Sequence, residues 1–143
     1  MNIELTERQF QTLLETYYMG EYMKQAYGNS ADTKELAELG NILYETAYNA
    51  GLDEDVEYDK QMGGYVPTAE FEADCDELIN TYDENNFWEE LIILMANRDV
   101  QAQGLTDMSS KEFQAAQKVM IEKYEKEFAD NGIDNLTIND LKI

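Results

Sequence analysis

The chain contains no histidine, one cysteine and one proline among its 143 residues. Without histidine, a serine–histidine–aspartate triad, a cysteine–histidine dyad and histidine-containing zinc sites are all excluded. A single cysteine excludes an internal disulfide, a CxxC redox pair and cysteine-rich zinc sites, and it is compatible with a reducing compartment. We therefore expect Cys75 to be a small buried apolar side chain on a helix face.

Basic residues are also scarce, since ten Lys and Arg accompany 31 Asp and Glu and give a net charge of −21. The imbalance is greatest between Asp53 and Glu90, where fourteen acidic residues accompany only Lys60, a net charge of −13. A field of this sign repels DNA, RNA and anionic lipid, and it favours basic protein surfaces. The alternative interpretation is a solvated acidic surface that keeps the protein dispersed.

Long apolar segments are missing. The longest apolar run covers residues 91–96, whereas a membrane-spanning helix needs about 20 apolar residues. The first residues carry neither a basic nor an apolar segment, so no secretory signal is predicted. We expect a cytoplasmic protein with a single acidic helical domain, residues 1–143, because one domain has roughly 100–200 residues.

Apolar residues recur at helical spacing in five segments. Thr6 and Ser109 each precede a Gln or Glu by three residues, which is the pattern of a capping box. Gly40, Ala47 and Ala50 lie on the apolar face of the second segment and permit the close approach of another helix. The alternative is a weak point in this helix, because a glycine inside a helix costs about 1 kcal/mol relative to alanine. The predicted helices run from about residue 7 to Gly28, from the cap Asp32 to Gly51, from the cap Thr68 to Tyr82, from Asn85 or Asn86 to Gly104, and from Ser109 to Gly132.

Residues 52–67 lack helical spacing. Gly63-Gly64 indicates a turn, across which residues 56–58 and 65–66 are predicted to pair as a short hairpin. The sequence therefore predicts an all-α, single-domain bundle of about five helices with a short loop or β-hairpin insert near residues 52–67. The fourth predicted helix is apolar on nearly every side, which is typical of a central, buried helix. The tail, residues 133–143, is expected to form one helical turn or a docked extended segment.

Tyrosines fall into two predicted groups. Tyr17, Tyr82 and Tyr124 lie on apolar helix faces and are expected in the core. Tyr58 and Tyr65 flank the predicted turn beside the acidic loop. Because aromatic side chains carry much of the binding energy at protein interfaces, these two are candidate anchors for a partner. Ordinary half-buried packing is the alternative interpretation.

Metal-binding and catalytic motifs are not found. Loops that begin at Asp53, Asp83 and Asp130 lack the glycine that an EF-hand needs at its sixth position, which leaves weak calcium binding at the acidic loop as an open alternative. Walker A and GxGxxG sequences are absent. Carboxylate pairs can hydrolyse glycosides, but a small bundle without an evident cleft does not favour this. We predict a non-enzyme with no metal and no cofactor.

Five groups of short segments stand out along the first two thirds of the chain. They are Leu5-Thr6-Glu7 before Phe10, Tyr18-Met19-Gly20-Glu21-Tyr22, Tyr65-Val66-Pro67-Thr68 with Phe71-Glu72, Tyr82-Asp83-Glu84 with Phe87-Trp88-Glu89-Glu90-Leu91, and Arg98-Asp99. Together these segments resemble a set of uncharacterised small acidic bacterial and prophage proteins. The resemblance implies a bacterial or phage origin and a helical fold, and it implies no activity. In charge, though not in motif, the chain also resembles the DNA-mimic inhibitors of phages and mobile elements, such as anti-restriction and some anti-CRISPR proteins.

The sequence predicts a non-enzymatic acidic module that binds a basic protein surface. One form of this hypothesis is an inhibitor of anti-CRISPR or anti-restriction type, whose carboxylates stand where the phosphates of a nucleic acid bind on a nucleic-acid-binding protein. Neither nucleic acid nor a membrane is an expected direct partner. The alternative is a structural or assembly protein that forms a homo-oligomer through an apolar helix face. The predicted partner-binding residues are Asp53, Glu54, Asp55, Glu57, Tyr58, Asp59, Tyr65, Glu70, Asp74 and Glu77.

Overall fold

The computed structural model describes residues 3–26, 33–102 and 109–137, with the backbone alone at Thr33. Within these ranges the chain is mostly helical, with four helices and one two-stranded hairpin, so the predicted helical class is confirmed. The predicted caps and ends at Gly28, Asp32 and Gly104, and the tail beyond Thr137, lie outside the described residues. The elements are α1 (Glu7–Gln25), α2 (Thr33–Asn49), β1 (Val56–Asp59), β2 (Gly64–Pro67), α3 (Ala69–Ala102) and α4 (Ser110–Asn131).

Both predicted capping boxes are confirmed. At the start of α1, the Gln9 amide donates to Thr6 Oγ1 at 3.3 Å, and the Thr6 amide donates to Gln9 Oε1 at 2.9 Å. At the start of α4, the Ser109 amide donates to Glu112 Oε2 at 2.9 Å, and the hydrogen bonds from Ser109 lower the pKa of that carboxyl group. Each box satisfies amide groups that the first turn of a helix leaves without partners.

The predicted break between a third and a fourth helix is wrong, because α3 continues through Tyr82, Asn85 and Asn86. Residues 69–102 contain neither glycine nor proline, and asparagine inside a helix costs at most about 0.7 kcal/mol relative to alanine. A break would instead leave about four amide and four carbonyl groups unpaired at the new helix ends.

Among the described residues, no helix combines the length and the apolar character that crossing a membrane requires.

Contacts along the chain divide it into two compact units, one up to Thr81 and the other from Tyr82; the predicted single domain stays a prediction. In the first unit, α1 and the hairpin both pack against α2. Cys75 is 1% exposed, and burial raises the pKa of its thiol to about 11, so its expected place in the core is confirmed. The core of this unit consists of Leu14, Tyr17, Tyr44, Ala47, Leu52, Val56, Phe71 and Cys75.

A glycine sets the distance between α1 and α2. The Tyr17 hydroxyl lies over Gly40 and donates to the Leu36 carbonyl oxygen at 2.7 Å, while the Tyr17 ring meets Tyr44 edge to face at 5.8 Å. A Cβ atom at Gly40 would lie 2.9 Å from Tyr17 Cζ, well inside van der Waals contact. The close approach predicted from the small residues of the second helix is therefore confirmed at this position.

The second unit packs the end of α3 against α4. The Phe128 ring lies 5.6 Å from the rings of both Trp88 and Tyr124, and Ala96 and Val100 are fully buried. Gln117 Nε2 donates to Asn97 Oδ1 at 2.7 Å. Side chains from both helices therefore form the apolar contacts of this unit.

Two expectations about the apolar residues of α3 are wrong. Phe87 and Leu94 are 53% and 62% exposed, so the predicted fourth helix is not buried on all sides. Tyr82, expected in the core, is 63% exposed. Apolar composition and helical spacing show which residues share a face, but not whether another element covers that face.

Candidate partner-binding surface

The hairpin forms across the predicted turn. Strands β1 and β2 pair antiparallel, with Tyr58 opposite Tyr65. Gly63 has a φ of 70°, a value that side-chain-bearing residues rarely adopt, so glycine suits this turn. The carboxylate of Asp59 accepts hydrogen bonds from the amides of Gln61 and Met62 at 2.6 and 3.2 Å. Asp59 therefore organises the turn.

Tyrosines and carboxylates lie on opposite faces of this hairpin. Successive side chains of a strand alternate between faces, so the pairing places Tyr58 and Tyr65 on one face and Glu57 and Asp59 on the other. These four residues are close in the chain and all belong to the predicted partner-binding set. The strand period separates them.

The tyrosine face packs toward α2. The Tyr65 ring lies 4.8 Å from that of Tyr48 and 5.2 Å from that of Tyr58. Tyr65 is half-buried, whereas Tyr48 and Tyr58 are 41% and 48% exposed. These three residues form an accessible aromatic surface, the tyrosine patch. Sequence reasoning did not include Tyr48 among the site residues; the available signal was its position four residues after Tyr44, beside the apolar stripe of the second helix.

The loop before β1 carries three carboxylates. Asp53 and Glu54 are exposed and Asp55 is half-buried. Gln11 Nε2 of α1 donates to Asp55 Oδ2 at 3.1 Å. The loop acids line a cavity of about 240 Å³ together with Glu7 and Gln11. We call this cavity the acidic cleft.

Thr68, directly before α3, fixes the same loop. Its hydroxyl donates to the Glu54 carbonyl oxygen at 2.8 Å, and its amide donates to the Asp55 carbonyl oxygen at 2.9 Å. The hydroxyl also accepts from the Phe71 amide at 3.3 Å, so the predicted cap at Thr68 is confirmed. One threonine thus starts α3 and attaches the acidic loop to it.

The first turns of α3 carry a row of acids on their outer side. Glu70, Asp74 and Glu77 are exposed, whereas Phe71 and Cys75 are buried in the core. At 100° per residue, the centre of the row of acids lies about 110° around the helix from that of Phe71 and Cys75, so the two sets occupy different sides. The expected outer position of this row, which we call the acidic row, is confirmed.

The side of α3 that carries Asp76 contacts α1. The Tyr18 hydroxyl of α1 donates to Asp76 Oδ1 at 3.3 Å. Burial raises the pKa of Tyr18 to about 12, and the nearby charges of Asp76 and Glu72 add to the shift. This flank therefore joins α1 to α3 and is less free for a partner than the acidic row.

The structure thus distributes the predicted site residues over several surfaces of the first unit. Glu57 points away from the tyrosine face of the hairpin, and Asp59 is held by its own turn. The acidic cleft holds Asp53, Glu54 and Asp55, the tyrosine patch holds Tyr58 and Tyr65, and the acidic row holds Glu70, Asp74 and Glu77.

Ion pairing does not neutralise these acids within the described residues. The ion pairs found there join Lys34 to Glu38 at 3.6 Å and Arg98 to Asp99 at 2.7 Å, and neither includes a predicted site residue. The sequence up to Thr81 holds eighteen acidic and four basic residues, a net charge of −14. Few positive charges compensate this negative charge, so most of its field extends into the solvent.

The Arg98–Asp99 dipeptide belongs to a local network in the second unit. Tyr124 donates a hydrogen bond to Asp99 and accepts one from Arg98 at 3.2 Å. The Tyr124 hydrogen bond is the main cause of the lowered pKa of Asp99, and the ion pair with Arg98 adds to it. Arg98 and Asp99 therefore form a structural ion pair, to which Tyr124 of α4 is hydrogen-bonded.

Metal-ligand groupings are absent from the described part of the chain, where no three carboxylate or thiol side chains lie close enough together to hold an ion. The acids instead occupy exposed positions on separate elements.

Comparison with known proteins adds no relative to this picture. No family model matches the chain, and neither a curated protein nor a solved structure is significantly similar to it. The predicted resemblance to small acidic phage proteins stays a prediction.

Proposed function

We propose that the chain is a non-enzymatic acidic module that binds a basic protein surface through the acidic cleft and the acidic row. The observation that carries this proposal is the group of exposed carboxylates in the first unit, which no ion pair neutralises within the described residues. Opposite charge across an interface accelerates association and excludes partners of the wrong sign. A basic partner surface therefore complements this part of the chain best.

The spacing of the acidic row supports mimicry of a nucleic acid. A helix rises about 1.5 Å per residue, so neighbouring carboxylates of Glu70, Asp74 and Glu77 are spaced about 4.5–6 Å along its axis. One strand of DNA carries a phosphate every ~3.4 Å along the helix axis. The charge density of the row is thus within a factor of two of that of one strand. We infer that the partner is a nucleic-acid-binding protein and that the chain acts as its inhibitor.

The tyrosine patch supports the same proposal from a second direction. Arginine stacks on aromatic rings through cation–π interactions, which contribute about 0.5–1 kcal/mol at exposed sites. Tyr48 and Tyr58 expose nearly half of their surface. Tyrosine is also among the residues that most often dominate the energy of an interface. The patch therefore supplies aromatic anchors in the same unit as the acids.

Affinity capture tests the proposal. The tagged chain is incubated with a bacterial lysate and eluted in a rising NaCl gradient. Recovery of one basic, nucleic-acid-binding protein that salt releases and that DNA or RNA displaces is the expected result. Recovery of no protein, or only of the chain itself, would contradict it.

Self-association is a second candidate function, which the exposed apolar side chains of α3 favour. Phe87 and Leu94 are 53% and 62% exposed, and the half-buried Leu91 lies between them at positions i, i+4 and i+7. This spacing places the three on one side of the helix, where a second copy can cover them. A molar mass that rises with concentration at fixed salt, and that falls in a Phe87→Gln, Leu94→Gln variant, would favour this function.

A further inference from the structure

An apolar cavity adjoins the acidic cleft. Its volume is about 360 Å³, and its walls come from the segment before α1, the first turns of α1, and the end of α2 with the residues that follow it. Ligand pockets commonly enclose about 300–1,000 Å³, so this cavity is of a size to accept one large apolar side chain. The residues that form its apolar wall include Leu5, Phe10, Ala50 and Leu52.

The two cavities share walls. Glu7 and Leu52 line both, so the apolar cavity lies next to the cleft that Asp53, Glu54 and Asp55 line. No lysine or arginine occurs among the residues that line either cavity. An apolar side chain bound in the first cavity therefore places its chain neighbours beside carboxylates.

We propose that this composite groove binds a partner segment in which a large apolar side chain stands next to a lysine or arginine. This inference rests on the proposed function and specifies the chemistry of the partner that docks there. The apolar side chain fills the cavity lined by Leu5 and Ala50, and the cation reaches the acidic cleft. Charge complementarity selects this occupant, because the carboxylates at the shared wall disfavour an apolar ligand without a cation as well as an anionic one.

The groove is held in place before any partner binds. Gln11 fixes the carboxylate of Asp55, and Thr68 fixes the loop backbone at Glu54 and Asp55. The Thr6–Gln9 capping box fixes the chain where it enters α1, beside the apolar cavity. A preordered site loses less conformational freedom on binding, so a short segment suffices for recognition.

A peptide titration tests the groove directly. The probe is an acetylated, amidated pentapeptide with tryptophan between two arginines, added to the isotope-labelled full chain in 20 mM NaCl and followed by amide NMR shifts. Saturable shifts at Leu5, Phe10, Ala50, Leu52 and Asp53 are expected. Replacing the tryptophan by alanine, or both arginines by glutamine, should each weaken binding at least about tenfold. Equal affinity of the alanine peptide, shifts confined to other surfaces, or no saturable shift with any peptide would overturn the proposal.

Variants of the apolar wall provide the second arm. Ala50→Trp fills the cavity, and Leu5→Gln makes its wall polar without a change in charge. Both residues are exposed, so both variants are expected to fold, which circular dichroism checks. Ala37→Trp adds the same side chain at an exposed position of α2, thirteen residues before Ala50, and serves as the matched control. Each wall variant should lower the affinity for the tryptophan peptide at least about tenfold, and the control should leave that affinity unchanged.

Partner capture by a charge variant and by the wall variants distinguishes this proposal from the proposed function. In partner capture, the variant Asp53→Lys, Glu54→Lys reverses charge at the surface, whereas Ala50→Trp leaves its charge unchanged. Loss of capture in both variants supports both proposals. If the charge variant loses the partner while Ala50→Trp and Leu5→Gln retain it, the basic-surface proposal stands and the groove proposal is overturned.

Discussion

The Tyr17 hydroxyl of α1 lies over the bare Cα atom of Gly40 in α2, and the hydrogen bond that it donates to the Leu36 carbonyl oxygen is 2.7 Å long. This contact fixes the separation of the two helices that support the hairpin and the acidic loop. Any side chain at residue 40 would push the Tyr17 ring away from that carbonyl group. The positions of the candidate surfaces therefore depend on one glycine.

Gly40→Ala should lower the free energy of unfolding by about 1–3 kcal/mol, because overpacking outweighs the gain in helix propensity. Gly20→Ala is the matched control, since Gly20 lies inside α1 and a Cβ atom there meets nothing within 4 Å. That substitution should raise the free energy by up to about 1 kcal/mol. Urea unfolding of both variants measures the two changes, and a stabilising effect of Gly40→Ala would contradict the packing described here.

Thr68→Val should destabilise the first unit by about 1–2 kcal/mol, because it removes the cap of α3. It also releases the Glu54 carbonyl group from the Thr68 hydroxyl, which loosens the acidic loop. Thr68→Ser keeps the hydroxyl and should have less than half of this effect. Urea unfolding with amide NMR of residues 53–55 measures both consequences. Equal effects of valine and serine would show that the hydroxyl does not hold the loop.

The free energy of unfolding should decrease at alkaline pH. Burial raises the pKa of Cys75 to about 11 from an ordinary value of 9.0, and that of Tyr17 to about 12 from 10.0. Acids whose pKa is raised by folding contribute stability that is complete below the ordinary pKa and is lost as the pH rises through the folded value. Stability should therefore be constant with respect to these groups up to about pH 9 and should fall between about pH 9 and 12.

Urea titrations at several pH values measure this loss, and thiol reactivity provides an independent check. The Cys75 thiol should react with a disulfide reagent at pH 8 far more slowly in the folded chain than in the urea-unfolded chain. A rise in stability above pH 9, or equal reaction rates in the two states, would contradict the burial of these groups.

Removing charge from the acidic row should stabilise the chain at low salt. Like charges at i, i+4 destabilise a helix by roughly 0.2–0.5 kcal/mol per pair, and the chain has a net charge of −21. The variant Asp74→Asn, Glu77→Gln keeps Glu70, whose charge is favourable in the first turn of α3. It should therefore melt at a higher temperature than the unchanged chain in 20 mM NaCl. The difference should shrink in 300 mM NaCl, because salt screens the repulsion. A lower melting temperature in 20 mM NaCl would indicate that these carboxylates stabilise the fold.

Local signals in the sequence predicted the caps and the hairpin but not the length of α3. Thr6, Ser109 and Thr68 act through residues three positions away, and the Gly63-Gly64 turn joins adjacent strands, so near neighbours determine these features. Asn85 and Asn86 resemble a helix start, yet an asparagine pair does not end the preceding helix when no glycine or proline is present. The break was predicted from a capping preference that the backbone hydrogen bonds of α3 outweigh.

The candidate surface was predicted in composition but not in arrangement. The outer position of Glu70, Asp74 and Glu77 follows from helical periodicity, which the sequence contains. The separation of Tyr58 from Asp59 follows from the alternation of neighbouring side chains along a strand, a periodicity that the sequence also contains. The contribution of Tyr48, by contrast, depends on how α2 packs against β2. The apolar cavity beside the acidic cleft unites residues from the start of α1 and the end of α2, and no local pattern indicates such a long-range contact.

The most direct test of the central claim compares two charge-reversal variants in the capture of the basic partner across a NaCl series. The first variant is Asp53→Lys, Glu54→Lys, Glu70→Lys, Asp74→Lys. The second is Glu122→Lys, Glu125→Lys, Asp130→Lys, Asp134→Lys, at positions that are also exposed. Both variants change the net charge by the same amount. The first variant should lose the partner and the dependence of its dissociation constant on salt, and the second should retain most of both. Equal losses would show that only total charge matters, and unchanged capture by the first variant would contradict the assignment of this surface.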